Sequence, residues 1–123
     1  MLMVWTGTVA TALPPFAHQR AELFATCAGR LAALAAHERA RGLDAAQDHS
    51  SMSGDFDFLL ETTLPDALDE GVPATQPRGW WSSGWTEIAY LLAEEAYSLD
   101  QGRADRARAA REDRIGQCQD VIL

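Results

Sequence analysis

Cys27 and Cys118 are the only two cysteines in a chain of 123 residues. Each sits in a stretch whose apolar residues recur at helical spacing. Around the first, Phe16, Leu23, Phe24, Cys27, Leu31 and Leu34 fall on one face of a helix read from Pro15 to Arg41. Gly42 ends that helix, and Arg39 and Arg41 stand in its last turn, where cations suit the helix dipole. Around the second, Ala104, Ala107, Arg111, Ile115, Cys118 and Ile122 mark the inner face of a helix over about 103–121.

Two further helical patterns lie between them. Met52, Phe56, Leu59 and Leu60 form a stripe, but Ser50, Ser51, Ser53 and Gly54 are poor helix formers, so only 55–64 is expected to be helical there. From Pro65 to Gly79 the composition turns to Pro, Gly, Asp and Thr, which predicts a loop with a short turn at "PDALDEG". The next helix is read from Gly79 to Gln101, with Trp81, Trp85, Ile88, Leu92 and Ala96 on one stripe and Gly102 as its terminator. No segment alternates with period two for long enough to require a strand. The expected fold is all-α, a four-helix up-down bundle with a single domain over 13–123.

Such a bundle places the two cysteines. If the first and last helices are antiparallel neighbours, Cys27 and Cys118 lie within about 3 Å of the same height, given a rise of roughly 1.5 Å per residue. Ala25, Ala28, Gly29, Ala32 and Gly116 flank them, and small residues let two helix backbones come close. A bridge from the first helix to the last is the reading this favours. Two buried free thiols in a reducing compartment are the alternative. A metal or redox site has less behind it, because there is no C-x-x-C and no histidine at ligand spacing from either cysteine.

Compartment rests partly on the start of the chain. "MLMVWTGTVATAL" is apolar from Met1 to Val9, and "ATA" at 10–12 has the small-x-small form that signal peptidase prefers, although a basic n-region is missing. Residues 1–12 therefore read as a signal peptide cleaved after Ala12, or else as an apolar tail. With the cysteine pair, this points to a periplasmic or secreted protein. No apolar run is long enough to span a bilayer. The net charge of −8 argues against nucleic acid, whose binding needs cations on phosphate. All ten basic residues are arginine, and five of them, Arg103, Arg106, Arg108, Arg111 and Arg114, read as a solvated helix face interspersed with acids.

Candidate functional residues are few. "GWWSSGW" crowds Trp80, Trp81 and Trp85 into the first turns of the third helix. Helical phase turns Trp81 and Trp85 to the core and Trp80 outward, so this cluster is the candidate partner contact. Arg30 shares a side of the first helix with Cys27 and is expected to form a semi-buried ion pair with Glu94 or Glu95. His18, His37 and His49 form neither H-E-x-x-H nor E-x-x-H, so no metal and no cofactor is expected. There is no G-x-S-x-G, no glycine-rich phosphate loop and no nucleophile beside a base. These readings favour a non-enzymatic interaction or accessory module with a protein partner in the cell envelope. A small helical mutase- or lyase-type enzyme is the alternative, and a pocket uniting Arg30, Glu94 and Glu95 would support it.

"FATCAGRLAALAAHE" on the first helix and "RIGQCQDVIL" at the end of the chain resemble small exported proteins of unknown function from alphaproteobacteria. In those, a leader precedes a helix of the F-x-x-C-x-G-R-x-x-A type, and a second cysteine closes the last helix. The likeness spans residues 24–38 and 114–123. It implies export and a disulfide-closed bundle, and it carries no activity.

Overall fold

The computed structural model of the chain describes Met3 and residues 13–123. The leader or apolar tail expected at 1–12 falls, Met3 aside, outside the described residues. Four helices follow in order: α1 (Ala17–Ala40), α2 (Ala45–Asp69), α3 (Gln76–Tyr97) and α4 (Gln101–Ile122). Together they form an all-α up-down bundle in which α1 is central. It packs on α2 and α3 and meets α4 more narrowly, while α4 rests chiefly on α3. The core joins Phe24, Leu31 and Leu34 of α1 to Phe56, Ile88, Leu92 and Ile115.

The turns are built by local chemistry. Gly42 and Gly71 both adopt positive φ, 69° and 104°, after the last residues of α1 and α2. Leu43 N–H then reaches back to the Glu38 carbonyl, and Val72 N–H to that of Ala67, which closes both helices with the same left-handed cap. Asp100 opens α4 by accepting from the N–H groups of Gly102 (2.9 Å) and Arg103 (3.3 Å). Gly102 is therefore inside the first turn of α4, and the terminator role expected of it falls instead to the extended backbone at Ser98.

α2 is far longer than the serines and Pro65 predict. Tertiary contacts override propensity at both ends. Ser53 is buried, and its hydroxyl donates to the Ala28 carbonyl of α1 at 2.8 Å, so a poor helix former becomes an interhelical tie. His49, in the first turns of α2, lies 2.5 Å from the carboxylate of Glu38 near the end of α1. Beyond Pro65, Ala67 packs with Ala17 and Ala21, which holds the last turn against α1. Pro65 and the residue four before it are both exposed, so the helical bond that proline forfeits falls on the wet side.

Cys27 and Cys118 are bonded, with Cα atoms 5.6 Å apart. Both are fully buried, and no free cysteine remains. The bridge ties the first helix to the last, as the height argument requires. The small residues serve differently from expectation. Gly29 faces α3 rather than α4: a Cβ there would strike the Trp81 carbonyl, and one on Gly84 would strike that of Thr26. Gly116 has open space around it.

Candidate interaction surface

The three tryptophans occupy three environments, and none is fully buried. Trp81 and Trp85 stack with ring centroids 5.4 Å apart and pack on the main core from its edge. Trp85 also borders an open groove of about 720 Å³ between α1 and α3, floored by Ala33, Ala36, Ala89 and Ala93. Trp80, expected to project outward, packs on a second small core of Ala17, Ala21 and Ala67, together with Leu60 and Val72. The end of α2 runs beneath it because that helix continues past Pro65, which helical phase within α3 alone does not reveal. The cluster thus divides its indoles between two cores instead of presenting one free ring.

Arg30 forms its ion pair with Glu87, not with Glu94 or Glu95. Its Nε lies 3.1 Å from Glu87 Oε2, and the side chain is only 12% exposed. The guanidinium also donates to the Arg114 carbonyl (3.4 Å) and approaches Cys118 Sγ at 3.8 Å. α1 and α3 run parallel, with Trp80 near the start of α1 and Tyr97 near its end. Glu94 is therefore about 10 Å too far along the bundle for Arg30. Glu94 pairs with Arg103 at 2.8 Å. Glu95 takes Arg111 at 2.9 Å and Arg108 at 3.2 Å. Arg114 completes the row, its Nε 3.0 Å from Glu87 Oε1. Four of the five α4 arginines thus reach carboxylates of α3, while Arg103, Arg108 and Arg114 stay 62%, 48% and 44% exposed, so the face is both solvated and paired.

The pairing shows in the electrostatics. The hydrogen bond from Arg111, aided by Arg108, holds the Glu95 carboxyl below the ordinary glutamate range. Glu70, at the end of α2, accepts from Ala17 N–H at 3.0 Å and meets His18 Nδ1 at 2.8 Å, so it caps α1 from a distant helix. The His18 hydrogen bond lowers the Glu70 pKa. Among the described residues, no group of three or more His, Cys, Asp or Glu side chains converges as metal ligands.

α2 differs from the rest in charge. Between Gly42 and Pro77 stand eight carboxylates, Asp44, Asp48, Asp55, Asp57, Glu61, Asp66, Asp69 and Glu70, and no arginine. Elsewhere ten carboxylates match ten arginines, so this one segment accounts for the whole net charge of −8. Among the described residues none of the eight meets an arginine. Partial burial pushes the Asp57 carboxyl above its ordinary value. In the middle of the outer face Phe58 is 68% exposed. Net charge alone conceals this feature; the arginine-free run of sequence is the signal that reveals it.

Fold and surface together define a disulfide-closed helical bundle with one unbalanced acidic face. Compared with protein-family models, with curated proteins and with solved structures, the chain matches none.

Proposed function

We propose that this protein is a non-enzymatic interaction module of an oxidising extracytoplasmic compartment, periplasmic or secreted, that docks on a protein partner. The observation that carries this reading is the contrast between α2 and the other helices. The α3–α4 face spends its charges on internal ion pairs, whereas α2 leaves its carboxylates and Phe58 to solvent. Single exposed apolar residues are ordinary on a protein surface. An aromatic ring set in an uncompensated charged field is what partner docking uses, because the ring supplies contact area and the field supplies orientation. The bridge supports the compartment, since disulfides persist where the surroundings are oxidising. No helix of the described residues is long and apolar enough to cross a membrane.

The enzymatic alternative has less support. It calls for Arg30, Glu94 and Glu95 around one pocket, and these residues sit in three separate ion pairs. A photo-crosslinking scan tests the module reading. A crosslinkable residue is placed in turn at exposed positions of all four helices, and the protein is irradiated in its native host. A discrete protein adduct from one contiguous face is expected; no adduct from any face would remove the reading.

A further inference from the structure

We infer that the outer face of α2, centred on Phe58, is a docking surface for a partner protein that presents a cationic, arginine- or lysine-rich helix with an apolar stripe. The inference rests on the module reading and gives its partner a chemistry.

Four observations converge on this face. α2 packs on α1 and approaches neither α3 nor α4 with its backbone, so its outer side is covered by no other helix. Helical spacing sets Asp55 and Glu61 three residues either side of Phe58, and Asp69 lies further along the same side. The ring is 68% exposed, and Leu68 toward the end of the helix is 40% exposed. The carboxylates do not gather into a ligand set, so they act as an extended field and not as a cation site.

Charge then selects the occupant. An isologous contact with a second copy would set the arginine-free face against itself, and like charges in apposition oppose such a dimer. A head-to-tail contact would need free cations on another face. Four of the five α4 arginines are held by Glu87, Glu94 and Glu95. The exposed arginines that meet no carboxylate, Arg39, Arg41, Arg78 and Arg106, are divided among the end of α1, the start of α3 and α4, so no one helix side offers a cationic row to match α2. Anionic lipid and nucleic acid carry the same sign as the surface. A cationic protein segment remains, and a helix is the form that pairs charges and an apolar stripe with the spacing seen on α2.

The test uses the oxidised full chain and two synthetic helical peptides. One carries an arginine face beside a leucine stripe, and in the other the leucines are replaced by serine. Three variants are compared with the parent: Phe58→Ser, the α2 triple Asp55→Asn/Asp57→Asn/Glu61→Gln, and a control triple Glu22→Gln/Glu112→Gln/Asp120→Asn. The control removes the same charge from exposed positions of α1 and α4. Unchanged circular dichroism and melting temperature establish that each variant is folded. The α2 triple should weaken binding of the leucine-striped peptide about tenfold or more, with steep salt dependence, while the control changes it less than about twofold. Phe58→Ser should weaken the leucine-striped peptide and leave the serine peptide unaffected. Equal losses from both triples would mean net charge alone is at work and would overturn the inference, as would indifference to Phe58→Ser. Low-salt self-association of the parent, abolished by the α2 triple, would overturn it in favour of a second copy. A discrete crosslink from another face, with none from α2, would also overturn it while leaving the module reading intact.

Discussion

Gly29 and Gly84 interlock where α1 and α3 cross, each opposite a backbone carbonyl of the other helix. The two helices are in direct main-chain contact there, and no side chain larger than hydrogen fits at either position. Small residues permit this approach in helix pairs generally. The contact brings Arg30 and Glu87, one and three residues further on, within pairing distance.

Replacing either glycine should therefore be costly. Gly29→Ala must separate two backbones, because the obstructing atom is a carbonyl and cannot rotate away. A loss of about 3 kcal/mol is expected, at the upper end of ordinary overpacking. Gly54→Ala and Gly116→Ala are the controls. Both sites are helical with no heavy atom within 4 Å of the added carbon. Each should stabilise by about 0.5–1 kcal/mol. Urea midpoints of the three variants, read with the parent, decide the matter.

The Cys27–Cys118 bridge closes a loop with a sequence separation of 91. The chain-entropy account gives such a bond roughly 4–5 kcal/mol at most. Cys27→Ala and Cys118→Ala should destabilise to a similar degree. The double variant should cost little more than either, since all three remove the same bond. A double variant that loses the sum of the singles would mean the two sulfurs contribute separately.

The ion pairs should be strongly unequal. Glu87 serves Arg30, whose side chain is 12% exposed, and Arg114 as well. Glu87→Ala should cost about 2 kcal/mol or more, because it leaves a mostly buried guanidinium without a counter-charge. Glu94 pairs with Arg103, which is 62% exposed. Glu94→Ala should cost less than about 1 kcal/mol, the usual range for a surface pair. Thermal melts of the two variants separate the cases.

Acid should weaken the fold through Glu95 and Glu70. Their folded pKa values lie below the ordinary 4.5. Their contribution is therefore complete above that value and is lost as pH falls through the folded pKa. Asp57 acts in the opposite sense. Its raised pKa favours the folded state once it is protonated, and that benefit disappears as pH rises. Stability measured between neutrality and pH 3 should fall less steeply in Glu95→Gln than in Glu22→Gln, whose exposed carboxylate takes no cation.

The tryptophans supply the last expectation. Trp80 lies on Ala17, Ala21 and Ala67, and Trp85 edges the main core beneath Trp81. Trp80→Ala and Trp85→Ala should each destabilise by about 2 kcal/mol, below the 3–5 kcal/mol of a fully buried aromatic. A loss confined to Trp85 would show that the second core contributes little.

The sequence by itself determined the number of helices and the phase of Phe24, Leu31, Ile88 and Ile115, and it favoured a Cys27–Cys118 bridge over two free thiols. Those properties follow from local periodicity and from chain length along a rigid helix, and both can be counted along one strand of text. Only the tertiary structure decided how far α2 extends, since Ser53 and Ala67 gain from contacts on α1 what they lack in helix propensity. It also decided that Trp80 has a core of its own and that Arg30 meets Glu87. Each depends on which residues of separate helices share a height and a facing side. Helical phase leaves that choice open, and a glycine crossing at Gly29 and Gly84 fixes it.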